Sequence, residues 1–184
     1  MVIALDFDGV IVDSIDECLL VSWNVINGNG HQQFSKDTLK SIPPDFIKSF
    51  RNYRCYMRHD GHFIVPYYLK DSDIETKSSF EKIYSKIPQI DKDNFRNMFR
   101  EYRNNVRDIY PEIWTSLHKF LVDINDILKI TNTISIVSGK DLGSIHFLLR
   151  RMGIEFPASK IYGGMTSKFE LLKTIQNEAR IQKK

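Results

Sequence analysis

Apolar and polar positions follow two rhythms along this chain. Residues 2–5 are apolar at consecutive positions, residues 133–137 form a β-branched run, and residues 160–162 a short Lys-Ile-Tyr stretch. The first predicts a strand buried on both faces, as in a parallel sheet covered by helices, and the other two predict further strands. Elsewhere the apolar positions recur every three to four residues and predict helices. From Ser14 they are Ile15, Cys18, Leu19, Ser22, Trp23 and Ile26, ended by Asn27-Gly28-Asn29-Gly30. Residues 35–50 form a short helix and a second one starting near Asp45, broken at Pro43-Pro44. Two more cover 72–88 and 91–109, separated by Pro88. A further amphipathic helix carries Pro111 in its first turn, then Ile113, Trp114, Leu117, Phe120, Leu121, Ile124 and Leu128, and is expected to pack on the sheet. Leu142, Ile145, Leu148 and Leu149 mark a helix stopping near Gly153, and Phe169, Leu171, Leu172 and Ile175 mark the last. The pattern predicts an α/β core from residues 1–14 and 109–184, interrupted by an all-helical insertion at 15–108.

The first strand delivers Asp6 and Asp8 into a turn at Gly9. Ligands of parallel sheets bind at the carboxyl ends of strands, where these carboxylates fall. A carboxylate can attack phosphorus, forming an aspartyl-phosphate that water later removes, and Asp6 is the candidate nucleophile. Asp8, two positions on, points the same way and lies further out, suited to protonate the leaving oxygen and then deprotonate water. Two acids in one pocket need environments that separate their pKa values. A bound Mg²⁺ held by Asp6 and the backbone carbonyl of Asp8 would supply that. The competing reading of Asp-x-Asp-Gly is an ordinary strand end and turn.

Asp6-Phe7-Asp8-Gly9-Val10 followed by Asp13-Ser14 resembles motif one of the haloacid dehalogenase superfamily, in its phosphatase and phosphomutase branch. Ser138-Gly139-Lys140, after the strand at 133–137, resembles motif two, a hydroxyl and backbone N–H groups cradling a phosphate oxygen. Ser138 reads equally as a helix cap, and Lys140 as a site residue or a solvated one. Lys168, at a helix start after 160–162 and Gly163-Gly164, resembles motif three. There it would neutralise charge between phosphoryl group and nucleophile. The resemblance implies a Rossmann-like core with a helical cap after motif one, phosphate bound by Ser138, Gly139 and Lys168, and Mg²⁺ at Asp6 and Asp8. It implies a hydrolase acting on a small phosphorylated metabolite. A phosphomutase using the same aspartates and a non-catalytic domain are the alternatives.

Motif four, an apolar strand ending in paired acids that complete the Mg²⁺ shell, does not follow Ile175. The one substitute upstream is Asp71, Asp73 and Glu75 after residues 63–69, a run interrupted by Pro66. Without motif four the first strand becomes an apolar edge inviting self-association or a partner. The core then reads as incomplete at its carboxyl end, as in a fragment, with weak Mg²⁺ binding and low turnover expected.

Within the insertion, Arg51, Arg54 and Arg58 share a predicted helical face, as do Arg96, Arg100, Arg103 and Arg107. They suit either an anionic substrate or a solvated face. His59-Asp60-Gly61-His62 is either half a metal site or a turn with exposed imidazoles, and Asp71 and Asp73 are expected to cap a helix. Trp23 and Trp114 are expected to pack internally. A hydrophobic content of 42 % provides material for a core, and no stretch reaches membrane-span length. Two cysteines and a strand beginning at the first residues favour a reduced, cytoplasmic setting without a signal peptide. A net charge of +3 is too mild to argue for nucleic acid.

Overall fold

β1, Ile3–Leu5, runs parallel to β4, Ile134–Val137, in the register Ile3 to Ile134 through Leu5 to Ile136. On its other side β4 pairs in parallel with β5, Ile161–Tyr162, giving the order β1-β4-β5. The computed structural model describes residues 3–69, 76–130, 134–164 and 168–181. All of β4 is buried, Ser135 included, as a central strand of a covered parallel sheet requires. β1 differs from the expectation of burial on both faces: Ala4 is exposed, and Ile3 and Leu5 are half-buried. The reason is its position, since among the described residues it pairs only with β4 and forms the sheet edge.

The chain divides into two compact units, Met1–Asp13 with Lys119–Lys184, and Ser14–His118. In the first, the turn after β1 is closed by the Phe7 carbonyl, which accepts from the N–H groups of Ile11 and Val12 at 2.9 Å each. Gly9 takes φ +83 and donates to the Val12 carbonyl at 2.7 Å, a conformation that a side chain would strain. β2, Val12–Asp13, then pairs antiparallel with β3, Lys119–Phe120.

The single helix expected through residues 113–128 is three elements. They are α6, Pro111–Ser116, then β3, then α7, Ile124–Ile130. Leu117 and His118 donate back to the carbonyls of Trp114 and Thr115, tightening the end of α6. The strand pairing of Phe120 with Val12 then overrides the helical spacing. α6 consequently belongs to the second unit, not to the sheet. α8, Leu142–Arg151, buries Ile145, Leu148 and Leu149 and ends at Gly153 with φ +69, and α9 is Phe169–Ile181.

In the second unit, α1, Ile15–Ile26, is buried at Glu17, Cys18, Leu19, Leu20, Val21, Ser22 and Asn24. Burial runs further around the helix than the predicted stripe, and Ile26 is exposed. α2, Lys36–Ser41, is capped by Ser35, and α3, Pro44–Tyr53, has Pro44 in its first turn. α4, Lys77–Lys86, opens with a Thr76/Ser79 capping box, whereas Asp71 and Asp73 lie outside the described residues. α5, Gln89–Ile109, buries Phe95, Phe99 and Tyr102: Phe99 packs on Phe95 and Phe63, and Tyr102 on His31 and Phe34. No helix among the described residues is long and apolar enough to cross a membrane.

The arginine stripes are solvated in part: Arg51, Arg58 and Arg100 are exposed, Arg54, Arg96 and Arg107 half-buried, and Arg103 buried. Glu17, fully buried, receives Arg103 in a two-pronged ion pair at 2.7 and 2.9 Å, with Trp114 Nε1 adding a third donor at 3.3 Å. Asp60 takes both Arg96 and Arg100, and Arg107 pairs with Asp108. α3 stops at Tyr53, so Arg51, Arg54 and Arg58 share no helix; Arg51 pairs with Asp16 at 2.5 Å, and Arg54 donates to the Met57 carbonyl. Residues Asp60–Tyr67 form a 3-10 helix, which removes the substitute strand at 63–69 and accommodates Pro66 without a ladder.

Candidate active site

The parallel register brings the carboxyl ends of β1, β4 and β5 together, so Asp6, Ser138 and Gly163 leave the sheet at one end. Asp6 is oriented by the Phe7 N–H, which donates to Oδ1 at 2.8 Å. Its Oδ2 receives Lys168 Nζ at 2.5 Å, a contact spanning 162 positions of sequence. Lys168 directly precedes α9, and its carbonyl accepts the Leu172 N–H at 3.0 Å. A cation at a helix N-terminus opposes the helix dipole, so this placement needs an anion, and Asp6 supplies it. The side chains of both are partly open to solvent, at 41 % for Asp6 and 33 % for Lys168.

A second pair lies beside the first in the sequence motif. Asp8 Oδ1 is 3.4 Å from Nζ of Lys140, whose side chain is wholly buried. Buried lysines are rare unless paired. The sequence left Lys140 open between site and solvent; its signal was a lysine directly after a strand-ending Ser-Gly, where the backbone is turning inward. Ser138 is buried, and its Oγ accepts the Lys140 N–H at 3.2 Å, leaving the hydroxyl proton to donate. Ser138 does not cap α8: Asp141 does, accepting the Ser144 N–H at 2.8 Å. Gly139, between Ser138 and Lys140, is exposed.

The loop is clamped from β5. The Ser138 N–H donates to the Tyr162 carbonyl at 2.9 Å, and the Gly164 N–H to the Lys140 carbonyl at 2.7 Å. A Cβ on Gly163 would lie 2.7 Å from Leu142 N and 2.8 Å from its Cα, inside contact distance of backbone. Gly163→Ala is therefore expected to displace the start of α8 and cost about 1–3 kcal/mol of stability, read by denaturant unfolding.

The donor set suits a hard cation in part. Asp6 and Asp8 offer carboxylate oxygens, and Mg²⁺ characteristically uses one or two carboxylates with waters and substrate oxygens. Among the described residues, however, no group of three or more His, Cys, Asp or Glu is gathered. A lysine already offsets charge on each carboxylate, which makes the fit that of a weak site. Asp71, Asp73 and Glu75 lie outside the described residues. His59 and His62 belong to the other unit. No family model, curated protein or solved structure matches this chain.

Proposed function

We propose that the chain is a Mg²⁺-dependent, phosphatase-like hydrolase of the haloacid dehalogenase type, with a Rossmann-like core, an inserted helical cap, and a phospho-Asp6 intermediate. The observation that carries this reading is the 2.5 Å contact between Asp6 and Lys168, residues which the motif resemblance alone assigns to one site. An oxygen of Asp6 attacks the phosphorus of a small phosphate monoester and the ester oxygen departs, taking a proton from Asp8. Asp8 then removes a proton from water, whose attack on the acyl phosphate releases inorganic phosphate and frees Asp6. Lys168 holds the transferring oxygens near Asp6, and the Ser138 hydroxyl and Gly139 N–H donate to them. Mg²⁺, when bound by Asp6 and the Asp8 carbonyl, adds further charge neutralisation. A mutase would use the same carboxylates but return phosphorus to a substrate hydroxyl. Exposure of Ala4 at the β1 edge supports a second reading, in which another strand adds there by self-association or from a partner. With both cysteines as thiols, Cys18 buried and Cys55 exposed, a reducing cytoplasmic setting suits this chemistry.

Beryllofluoride, a phosphoryl mimic, tests the assignment. A bound ¹⁹F signal is expected in the presence of Mg²⁺, with nuclear contacts to the Asp6 and Ser138 region, and it should vanish in Asp6→Asn. A bound signal unaffected by that substitution overturns the proposal.

A further inference from the structure

His62 is buried, and both of its ring nitrogens are engaged by backbone. Nδ1 accepts the Arg58 N–H at 3.1 Å, and the other nitrogen donates to the Tyr56 carbonyl. The neutral Nε2–H tautomer is thereby fixed, which leaves no lone pair for a metal and contradicts the expectation of exposed imidazoles. The ring sits across the chain between the 3-10 turn Arg54–Tyr56 and the helix Asp60–Tyr67. It is packed edge-on to Tyr84 and Phe80 of α4, with centroids at 4.5 and 5.3 Å. The His59 ring lies 3.8 Å from it, with a buried Nδ1 that makes no hydrogen bond.

We propose that His62 is an acid-released latch, which pins the segment from Tyr56 to Tyr67 to the helical unit while neutral and frees it once protonated. Protonation at Nδ1 sets an N–H against the Arg58 N–H, so the bond that closes the segment becomes a repulsion. The surroundings oppose a second charge. Arg58 flanks the ring, α5 contributes Arg96 and Arg100, and Lys92 lies over the Tyr84 ring at 4.6 Å. The acids facing the pair are Asp60 and, from α4, Glu81, and Asp60 is already held by Arg96 and Arg100. Burial, and then His59, push the His62 pKa down to about 4, and burial lowers His59 as well. A histidine lowered in the closed state takes up its proton on opening. The latch is therefore complete above about pH 6.5 and is lost progressively as pH falls toward about 4. Opening lifts Phe63, Ile64 and Val65 out of the interior, so acid exposes an apolar face that neutral pH conceals.

Hydrogen exchange on the full chain tests this, using peptides spanning 54–67 at pH 4.5 to 7. The protection factor, corrected for intrinsic chemistry, is expected to fall about tenfold per pH unit below about pH 6. In His62→Asn it should be low and independent of pH. A pH-dependent fall that persists in His62→Asn, or none in the natural chain, overturns the latch. Should His62→Asn fail to fold, ¹⁵N spectra of the natural chain decide: a neutral Nε2–H His62 down to pH 5 is expected, and a charged or Nδ1–H ring at pH 6 refutes it. His59→Asn, which leaves both backbone partners of His62 intact and removes the neighbour that lowers its pKa, should fold at pH 7 and move the opening to lower pH. An unchanged or higher midpoint would refute the stacked pair.

Discussion

Asp6→Asn is expected to lower phosphate-monoester turnover on the order of 10⁴-fold or more, since an amide oxygen cannot form the acyl phosphate. The substitution preserves shape and the acceptor for the Phe7 N–H, so the circular dichroism spectrum should be unchanged. On the proposed mechanism Lys168→Met removes a charge that would steady the transferring oxygens, without removing the nucleophile. A smaller loss of about 10²–10³-fold is expected, in kcat more than in KM, the scale of deleting one electrostatic stabiliser. The ordering discriminates between readings. If Asp6 served only to partner Lys168, the two substitutions would have equal effects, and residual turnover in Asp6→Asn above one hundredth of normal would remove Asp6 as nucleophile.

The second large effect is on stability. Arg103→Met leaves the Glu17 carboxylate fully buried with Trp114 as a remaining donor. Removing one partner of a buried pair costs about 3–5 kcal/mol, because the other charge is left uncompensated. Urea unfolding should show a lower midpoint at unchanged slope. The double change Glu17→Leu with Arg103→Met should recover a large part of the loss, since burying neither charge is close to neutral. A single-substitution cost below about 1 kcal/mol would mean that the carboxylate escapes to water, a result at odds with its burial.

The convergence of Asp6, Ser138 and Lys168 was legible because each is placed by a local junction. Each of Asp6, Ser138 and Lys168 stands where a short apolar run or a glycine pair meets a helix pattern, and a parallel sheet has only one end at which those junctions meet. The helical unit was less legible for the opposite reason. Glu17 and Arg103 are 86 positions apart, and nothing in either helix's spacing says which acid and which arginine turn inward together. Periodicity also could not separate a helix over 113–128 from α6, β3 and α7, because Leu117, Phe120 and Ile124 satisfy both while the deciding contact, Phe120 with Val12, lies in another part of the chain. The histidines were misplaced because polar residues in a turn sequence default to the surface, whereas His62 is spent on closing two backbone groups that the 3-10 geometry leaves over.

On the proposed mechanism the ion pair at the sheet's end would also work as a filter. In the resting molecule the ammonium of Lys168 occupies the very oxygen of Asp6 from which chemistry would begin. An uncharged visitor gains nothing by prising them apart, whereas a dianion can take over the ammonium and leave the carboxylate bare. On the proposed mechanism, admission to the nucleophile would be decided by charge before shape is consulted.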